Sequence, residues 1–417
     1  VTDPTKGNEG NTRTDDLLSS RPVVVHIAPT PFFANRGCHI RIENEIRALR
    51  SHPYRIVVVT YAHGNDPDGI DVRRIHAIPG YTKTDAGYSP FKFLADIFLF
   101  FKVLAVCRCE KPVVLHAHLH EGALIGWAVC RCLGSPKPAL VFDMQGSLSG
   151  ELAAYGAFGE NSPLLRAFEW IEGRISRMAD FVICSSFNSF RCHERFTHGG
   201  VPAEIFTDMV PERFFQEPDR VRLRQRLGIQ PNQRVLIYTG GLLPAKGLDE
   251  LLATVRMLLE RHDDLVCILA GYPMDRVKEE AQNCHWGDRC IIPGEVSYDR
   301  LSDWLGAGDV AIDPKPDTAG EASGKIVHYM AAGLPVVCFD SASNRTLLGD
   351  AGYYADSSEG VFGLVAAVER VLSDGAAARQ RGIAGKRRAQ KTVSPGGVGK
   401  RLADLYRRLA QGRFGGP

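Results

Sequence analysis

Short apolar runs, each followed by a Gly- or Pro-bearing turn and then by a helix-period pattern, recur along this chain and leave few folds open to it. The first run, residues 23–27, ends at Pro29-Thr30-Pro31 and a loop reaching Gly37. A helical pattern follows, with Ile42, Ile46 and Leu49 apolar and Arg41, Glu43, Glu45 and Arg47 polar between them. Further short apolar runs fall at residues 55–60, 113–118, 139–143 and 181–185, with helical patterns among them. Strands that are apolar on both faces and separated by helices belong to a parallel sheet covered on both sides.

The alternation pauses at residues 207–218, where two prolines sit, and then begins afresh. Strands are expected at 234–239, 265–270, 290–292, 310–313 and 335–339, and closing helices at 361–372, 376–393 and 399–409. A chain of 417 residues is long enough for two such units. The reading is α/β, with two doubly wound Rossmann-like domains facing a deep cleft. Its parts are a disordered leader over 1–20, a first domain over 21–208, a linker over 209–218, a second domain over 219–394, and a C-terminal helix and tail over 395–417 that packs back on the first domain. Ligands of open α/β sheets bind beyond the carboxyl ends of the strands.

Composition removes several classes. With 50 Lys+Arg against 48 Asp+Glu, there is no basic excess of the kind a nucleic-acid binder carries. The 11 cysteines include the pairs Cys107/Cys109 and Cys130/Cys132, whose spacing is not that of a metal site, so they read as buried or free thiols of a reducing compartment. Residues 1–20 are polar and lack the apolar core of a secretory signal. The stretch from Phe91 to Cys107 is interrupted by Lys92, Asp96 and Lys102, which makes it a half-buried or membrane-surface helix rather than a bilayer span.

The chemistry concentrates in residues 312–339. A strand leads into a loop with Glu321, Ser323, Gly324 and Lys325. A helix is expected from Ile326 to Ala332, stopped by Gly333 with Pro335 beyond. Backbone N–H groups at a helix start form a seat for a diphosphate, Lys325 adds a positive charge, and His328 lies one turn on, within reach of a ribose.

This segment resembles the nucleotide-sugar site of the retaining glycosyltransferases of GT-B architecture, family 4. Residues 329–337, Tyr-Met-Ala-Ala-Gly-Leu-Pro-Val-Val, match its closing run, with Lys325 matching the lysine of members that have a shorter loop. Glu321 lies near the family's first Glu, and His328 stands where a second Glu is usual. Residues 235–249 resemble the family's strand, Gly-Arg-Leu turn and Lys-Gly, keeping Lys246 but carrying Gly241 in the place of the Arg. Arg36-Gly37 resembles the Gly-rich loop of the first domain. Residues 115–122 resemble the His-x-His segment whose second His contacts the transferred sugar, here His118 with His120 as rival. Gln145 takes the place of a further His. The resemblance covers roughly residues 22–395 and is stronger in the second domain.

The resemblance implies a donor site of Gly37, Gly240, Gly241, Lys246, Gly271, Glu295, Ser323, Gly324, Lys325, Ile326 and His328. It implies catalytic roles for His118, Lys246 and Glu321, and sugar or acceptor contacts for Arg36, His120 and Gln145. The nucleotide sugar is then a co-substrate, with no other cofactor and no obligatory metal. The acceptor is a glycan or lipid-linked molecule, in a cytoplasmic enzyme that is also a candidate for peripheral attachment to the inner leaflet.

Blander readings stand beside these. Lys246 in a Gly-rich turn is an exposed lysine by default, Glu321 and Ser323 serve equally as helix caps, and Glu295 serves equally as a loop acid. Strand alternation places His116, His118 and His120 on one face. A phosphorylase or epimerase lacks its basic pocket or its acid–base pair here. A non-catalytic relative that binds a nucleotide sugar or a partner is motivated by the missing Arg and second Glu.

Overall fold

The computed structural model describes residues 21–32, 37–79, 90–146, 162–316 and 323–414. The expected leader over 1–20 lies outside these residues. Two compact units divide the chain: one runs to Ile205 apart from Ser186–Asn188 and regains the chain from Val398, and the other comprises Ser186–Asn188 and Phe206–Gly397.

The first unit alternates β1 (Val23–Ala28), α1 (Gly37–Ala48), β2 (Arg55–Thr60), β3 (Asp71–Arg74), α2 (Pro90–Glu110), β4 (Val114–His118), α3 (Leu119–Cys132), β5 (Ala139–Met144), α4 (Pro163–Ser176), β6 (Phe181–Cys184), α5 (Phe187–Thr197) and β7 (Ala203–Ile205). Its seven strands are parallel in the order β3-β2-β1-β4-β5-β6-β7. The apolar runs at 23–27 and 139–143 are fully buried strands because helices cover both faces. Val23, Val25 and Ile27 pack with α2 and α3, whereas Ala28 packs with Ile42 and Ile46 of α1 on the other face.

The second unit runs α6 (Arg220–Arg226), β8 (Arg234–Thr239), α7 (Leu248–Arg261), β9 (Leu265–Ala270), α8 (Asp275–Asn283), β10 (Cys290–Gly294), α9 (Leu301–Gly306), β11 (Val310–Asp313), α10 (Gly324–Ala331), β12 (Val336–Phe339), α11 (Ala342–Leu348), β13 (Gly352–Ala355), α12 (Gly360–Ser373) and α13 (Gly375–Thr392). Its six strands are parallel in the order β10-β9-β8-β11-β12-β13. Both sheets reverse direction of strand addition once, between β1 and β4 and between β8 and β11. A crevice opens beyond the carboxyl ends of the strands at such a point. Each unit is therefore a doubly wound, Rossmann-like α/β domain.

The last helix, α14 (Pro395–Phe414), is seated against the first unit from Val398 onward. Leu402, Leu405 and Tyr406 are buried there, and Tyr54 donates its hydroxyl to the Ala403 carbonyl. Gly399 permits the approach, since a Cβ on it would fall 2.3 Å from the Ala48 carbonyl oxygen. Among the described residues no helix is long and apolar enough to cross a membrane.

Two expectations are corrected. The helix after β11 starts at Gly324 rather than Ile326, so its opening amides belong to Gly324 and Lys325, with Ser323 as N-cap. β4 ends at His118, and Leu119, with φ of 62°, turns the chain into α3. His120 is thus helical and does not continue the alternation of His116 and His118.

Candidate functional site

At the β8/β11 crevice of the second unit lies an open pocket of ≈ 440 Å³, lined by Thr239, Gly240, Gly241, Ala270, Gly271, Tyr272, Glu295, Val296, Leu301, Gly324, Lys325 and His328. Two of these glycines, Gly240 and Gly271, are required by the backbone. A Cβ on Gly271 would sit 1.8 Å from the Gly240 carbonyl oxygen, and Gly240 itself has φ of 131°. The turn after β8 is held from two sides. Tyr238 donates its hydroxyl to the Gly241 carbonyl at 2.7 Å, and the Tyr329 hydroxyl accepts the Thr239 amide at 2.9 Å. Tyr329 lies on the buried face of α10, so it fixes the start of that helix relative to the Gly240–Gly241 turn.

Lys325 projects from the first turn of α10. Its Nζ lies 2.9 Å from the Asp313 carboxylate at the end of β11 and 5.0 Å from the centre of the Tyr238 ring. Its side chain is 14% exposed against 1% for Asp313, so the pair is a largely buried one whose cationic end borders the pocket. The first turn of α10 carries no acidic side chain, and Ser323 makes no side-chain cap. Its amide dipole is left to attract an anion. Lys246 closes the short helical turn Pro244–Lys246, and its Cγ lies 3.9 Å from where a Gly241 Cβ would stand. It borders the Gly241 side of the pocket without lining it.

His328 lines the pocket, but both ring nitrogens are taken. Nδ1 faces the Gly324 carbonyl at 2.6 Å and Nε2 faces the Tyr298 hydroxyl at 2.8 Å, which assigns an imidazole that donates from Nδ1 and accepts at Nε2. Burial pushes its pKa below the usual histidine value, keeping the ring neutral. The expected ribose hydrogen bond therefore has no free nitrogen to come from. Ile326 is a core residue, its side chain fully buried beneath α10, and can offer only backbone. Glu321 and Arg36 lie outside the described residues. Gly37 opens α1.

In the first unit, His118 is fully buried. Its Nδ1 donates to Asp143 at 2.9 Å and its Nε2 meets His26 Nδ1 at 2.9 Å. Asp143 also receives the Arg41 guanidinium at 2.8 Å and the Gln145 side-chain amide at 2.8 Å. The Arg41 cation and the His118 hydrogen bond hold the Asp143 carboxyl far below its ordinary range, against a burial effect of opposite sign. His118 is therefore a correction: it belongs to a buried network and presents no nitrogen to a sugar. His120 is the less enclosed of the pair. Placed by the strained Leu119 turn at the start of α3, its side chain is 15% exposed, with Nε2 3.1 Å from Glu172 and its ring edge-on to Phe142.

The sequence pointed to the glycines, Lys325 and His328 of the pocket. It missed Tyr238, Tyr272, Asp313, Tyr298 and Tyr329; the first three lie at or just beyond strand ends, where polar residues were the only signal, and Tyr298 and Tyr329 lie in a turn and on α10.

Comparison with known proteins agrees with this geometry. Residues 219–388 match the family model described as glycosyl transferases group 1, and residues 36–187 match the glycosyl transferase 4-like domain. The D-inositol 3-phosphate glycosyltransferase of Kineococcus radiotolerans is 26% identical over 96% of this chain and 92% of its own length. An uncharacterized glycosyltransferase of Methanocaldococcus jannaschii is 23% identical over 57% of this chain, a match that spans only 60% of that relative. Among solved structures, sucrose-phosphate synthase from Thermosynechococcus elongatus superimposes with a TM-score of 0.69 at 18% identity, covering 93% of this chain and 99% of that one. Anabaena HepE, solved with UDP and glucose, gives 0.64 at 16% identity over 92% and 98%. With both of its units matched, a parallel-sheet fold of this type and a glycine-lined crevice at the expected strand ends, the chain belongs to the family 4 type of GT-B glycosyltransferases, the group 1 glycosyl transferases.

Proposed function

We propose that this glycosyltransferase moves a hexose or N-acetylhexosamine, with retention of configuration, from a UDP- or GDP-sugar to a glycan, lipid-linked or small-molecule acceptor of cell-envelope or glycolipid synthesis. The observation that carries the donor reading is the convergence of the Gly240–Gly241 turn, the first amides of α10 and the Lys325 ammonium on one open pocket. Neutral hydrogen-bond donors and a cation facing one space suit a diphosphate, whose negative charge grows as the glycosidic bond breaks. In this reading the acceptor hydroxyl attacks from the face the nucleotide leaves, and the protein works by positioning and by stabilising the departing diphosphate, without an obligatory metal for the transfer. His120, rather than His118, takes the sugar-contacting place in the first unit, and Gln145, bonded to Asp143, keeps an acceptor-side role.

Attachment to the cytoplasmic face of a membrane fits α2. Its Ala95, Leu99 and Val103 are buried, whereas Leu94, Ile97, Phe98 and Phe101 form a second, exposed apolar stripe at helical spacing. Phe93 beside them is 75% exposed. Apolar surface concentrated like this marks an interaction site rather than ordinary solvent contact.

A catalytically weak relative that only binds a nucleotide sugar is the second reading. It is favoured by Gly241, which leaves the pocket one cation short of the family pattern. A panel of UDP-, GDP- and ADP-sugars, assayed for binding and for hydrolysis or transfer with an acceptor extract, separates the two. Turnover with one donor supports the transferase, and NMR of the product anomer tests retention. Tight binding without turnover supports the second reading, and no binding by any donor removes both.

A further inference from the structure

Outside the donor pocket, the first unit holds a buried group of titratable side chains. His26 on β1, His116 and His118 on β4 and Glu45 on α1 meet on one face of the sheet. One ligand atom from each lies within 4.8 Å of all the others. The three histidines are 0% exposed and Glu45 is 2% exposed. The His26 and His116 rings, a register pair of β1 and β4, are tilted by 30° with centroids 4.6 Å apart, and the His116 and His118 rings stack at the same distance.

We propose that this cage is a structural metal site of the first unit that binds one divalent transition-metal ion, Zn²⁺ by the chemistry of its ligands. His26 Nε2 and His116 Nε2 are buried and make no hydrogen bond. A buried nitrogen left in that state forfeits the hydrogen bonds it makes to water, a loss that coordination removes. For two of the three histidines, the nitrogen turned away from the cage is held from outside it. His118 Nδ1 donates to Asp143 at 2.9 Å, and His116 Nδ1 meets the Tyr406 hydroxyl of α14 at 2.6 Å. Metal-binding histidines are fixed in this way, by a carboxylate or other group on the far nitrogen that sets the tautomer and aims the near lone pair.

Charge points the same way. Two buried carboxylates, Glu45 and Asp143, lie beside the cage, each paired with the Arg41 guanidinium, at 3.3 Å and 2.8 Å, and a dense anionic surround favours a cation. Three imidazoles and a carboxylate form the borderline nitrogen–oxygen set that favours Zn²⁺, and a set with no exposed member belongs to a structural site rather than one that keeps a place for substrate. Metal–ligand bonds of about 2.1 Å give a tetrahedron with edges of about 3.4 Å. The cage must therefore draw in its 4.8 Å edge, and His118 Nε2 must give up the hydrogen bond it accepts from His26 Nδ1 to turn its lone pair to the metal. The competing state is metal-free, with one of the histidines protonated to balance the carboxylates.

The test uses the full chain and needs no transferase assay, so it stands or falls apart from the donor reading. Protein expressed with added zinc is freed of loosely bound metal, and its metal content is measured by mass spectrometry. About one equivalent of zinc per chain is expected, and refolding with Co²⁺ should give the visible absorption of a four-coordinate nitrogen–oxygen site. His26→Gln and His116→Gln, singly and together, should lower the bound metal at least tenfold while all eleven free cysteines remain. A folded wild-type chain that takes up no metal overturns the proposal in favour of the protonated cluster. A double variant that retains the metal also overturns it, because the cysteines or another site then hold the ion.

Discussion

The Tyr329 hydroxyl sits 2.9 Å from the Thr239 amide and 3.2 Å from the Thr239 hydroxyl, joining the buried face of α10 to the last residue of β8. Both residues are buried, so each bond replaces one that water cannot make there. Tyr329→Phe removes the partner of a buried backbone donor while keeping the ring. It should cost about 1–3 kcal/mol of stability and weaken donor binding, because the Gly240–Gly241 turn loses its link to the helix start. Denaturant unfolding and calorimetric titration with UDP and GDP check the two effects. Unchanged affinity would show that the turn is held by Tyr238 alone.

Lys246 and Gly241 test how the pocket handles charge. Lys246→Ala should lower turnover at least tenfold, about 1.4 kcal/mol of barrier, measured as kcat with the preferred donor. The reverse change is sterically open. A Cβ at Gly241 meets only the Leu243 and Lys246 side chains, at 3.7–3.9 Å. Gly241→Arg should therefore fold normally and tighten nucleotide diphosphate binding by supplying the missing cation. An unchanged rate in the alanine variant removes Lys246 from the diphosphate site.

Lys325 has two roles that mutation can separate. Because Asp313 is buried, Lys325→Met alone leaves a carboxylate without its partner and should destabilise the second unit by about 3 kcal/mol. Adding Asp313→Asn should restore most of that stability, since the uncompensated charge is gone, yet donor affinity should stay low. Thermal unfolding alongside nucleotide titration of the single and double variants reads both quantities. If the double variant recovers donor affinity, the lysine acts only as a structural counter-ion.

The legible part of the molecule was the part written in local pattern. β8 and β9 are uninterrupted apolar runs before glycine turns, and the sequence placed them and the glycines lining the pocket. β3 was missed because it is an edge strand of Asp71-Val72-Arg73-Arg74, whose charges satisfy one another and Glu110 at the sheet margin. β13, opened by Gly352, carries no long apolar run either. Side-chain roles failed where they depended on long-range partners. Period-2 alternation extended from His116 past His118 assigned His120 to the strand, whereas the left-handed Leu119 ends it. Nothing local to His328 announces that Tyr298 and Phe214 enclose it, or that the partner of Lys325 is Asp313.

The exposed stripe of α2 yields a prediction for membranes. Leu94, Ile97, Phe98 and Phe101 are 40–60% exposed and lie on the opposite side of the helix from Ala95 and Leu99, so changing them leaves the core intact. Phe98→Ser with Phe101→Ser should abolish flotation with anionic liposomes at low salt while leaving the unfolding midpoint near wild type. A wild-type chain that stays at the bottom of the gradient ends the attachment reading.

On the inner side of the same helix, Asp96 supplies a pH signature. Burial raises its carboxyl to about 6, partly offset by the hydrogen bond from the Tyr61 hydroxyl. A raised carboxyl means that the folded chain holds the proton more tightly than the unfolded one. The stability Asp96 contributes is therefore complete below the unfolded value of about 3.9 and is lost as pH rises through about 6. Asp96→Asn keeps an acceptor for Tyr61 and cannot ionise. It should match wild type near the acid end of that window and exceed it in stability above pH 7, as read from denaturant midpoints across the range. Parallel curves for the two proteins would mean that Asp96 titrates as an ordinary surface carboxyl.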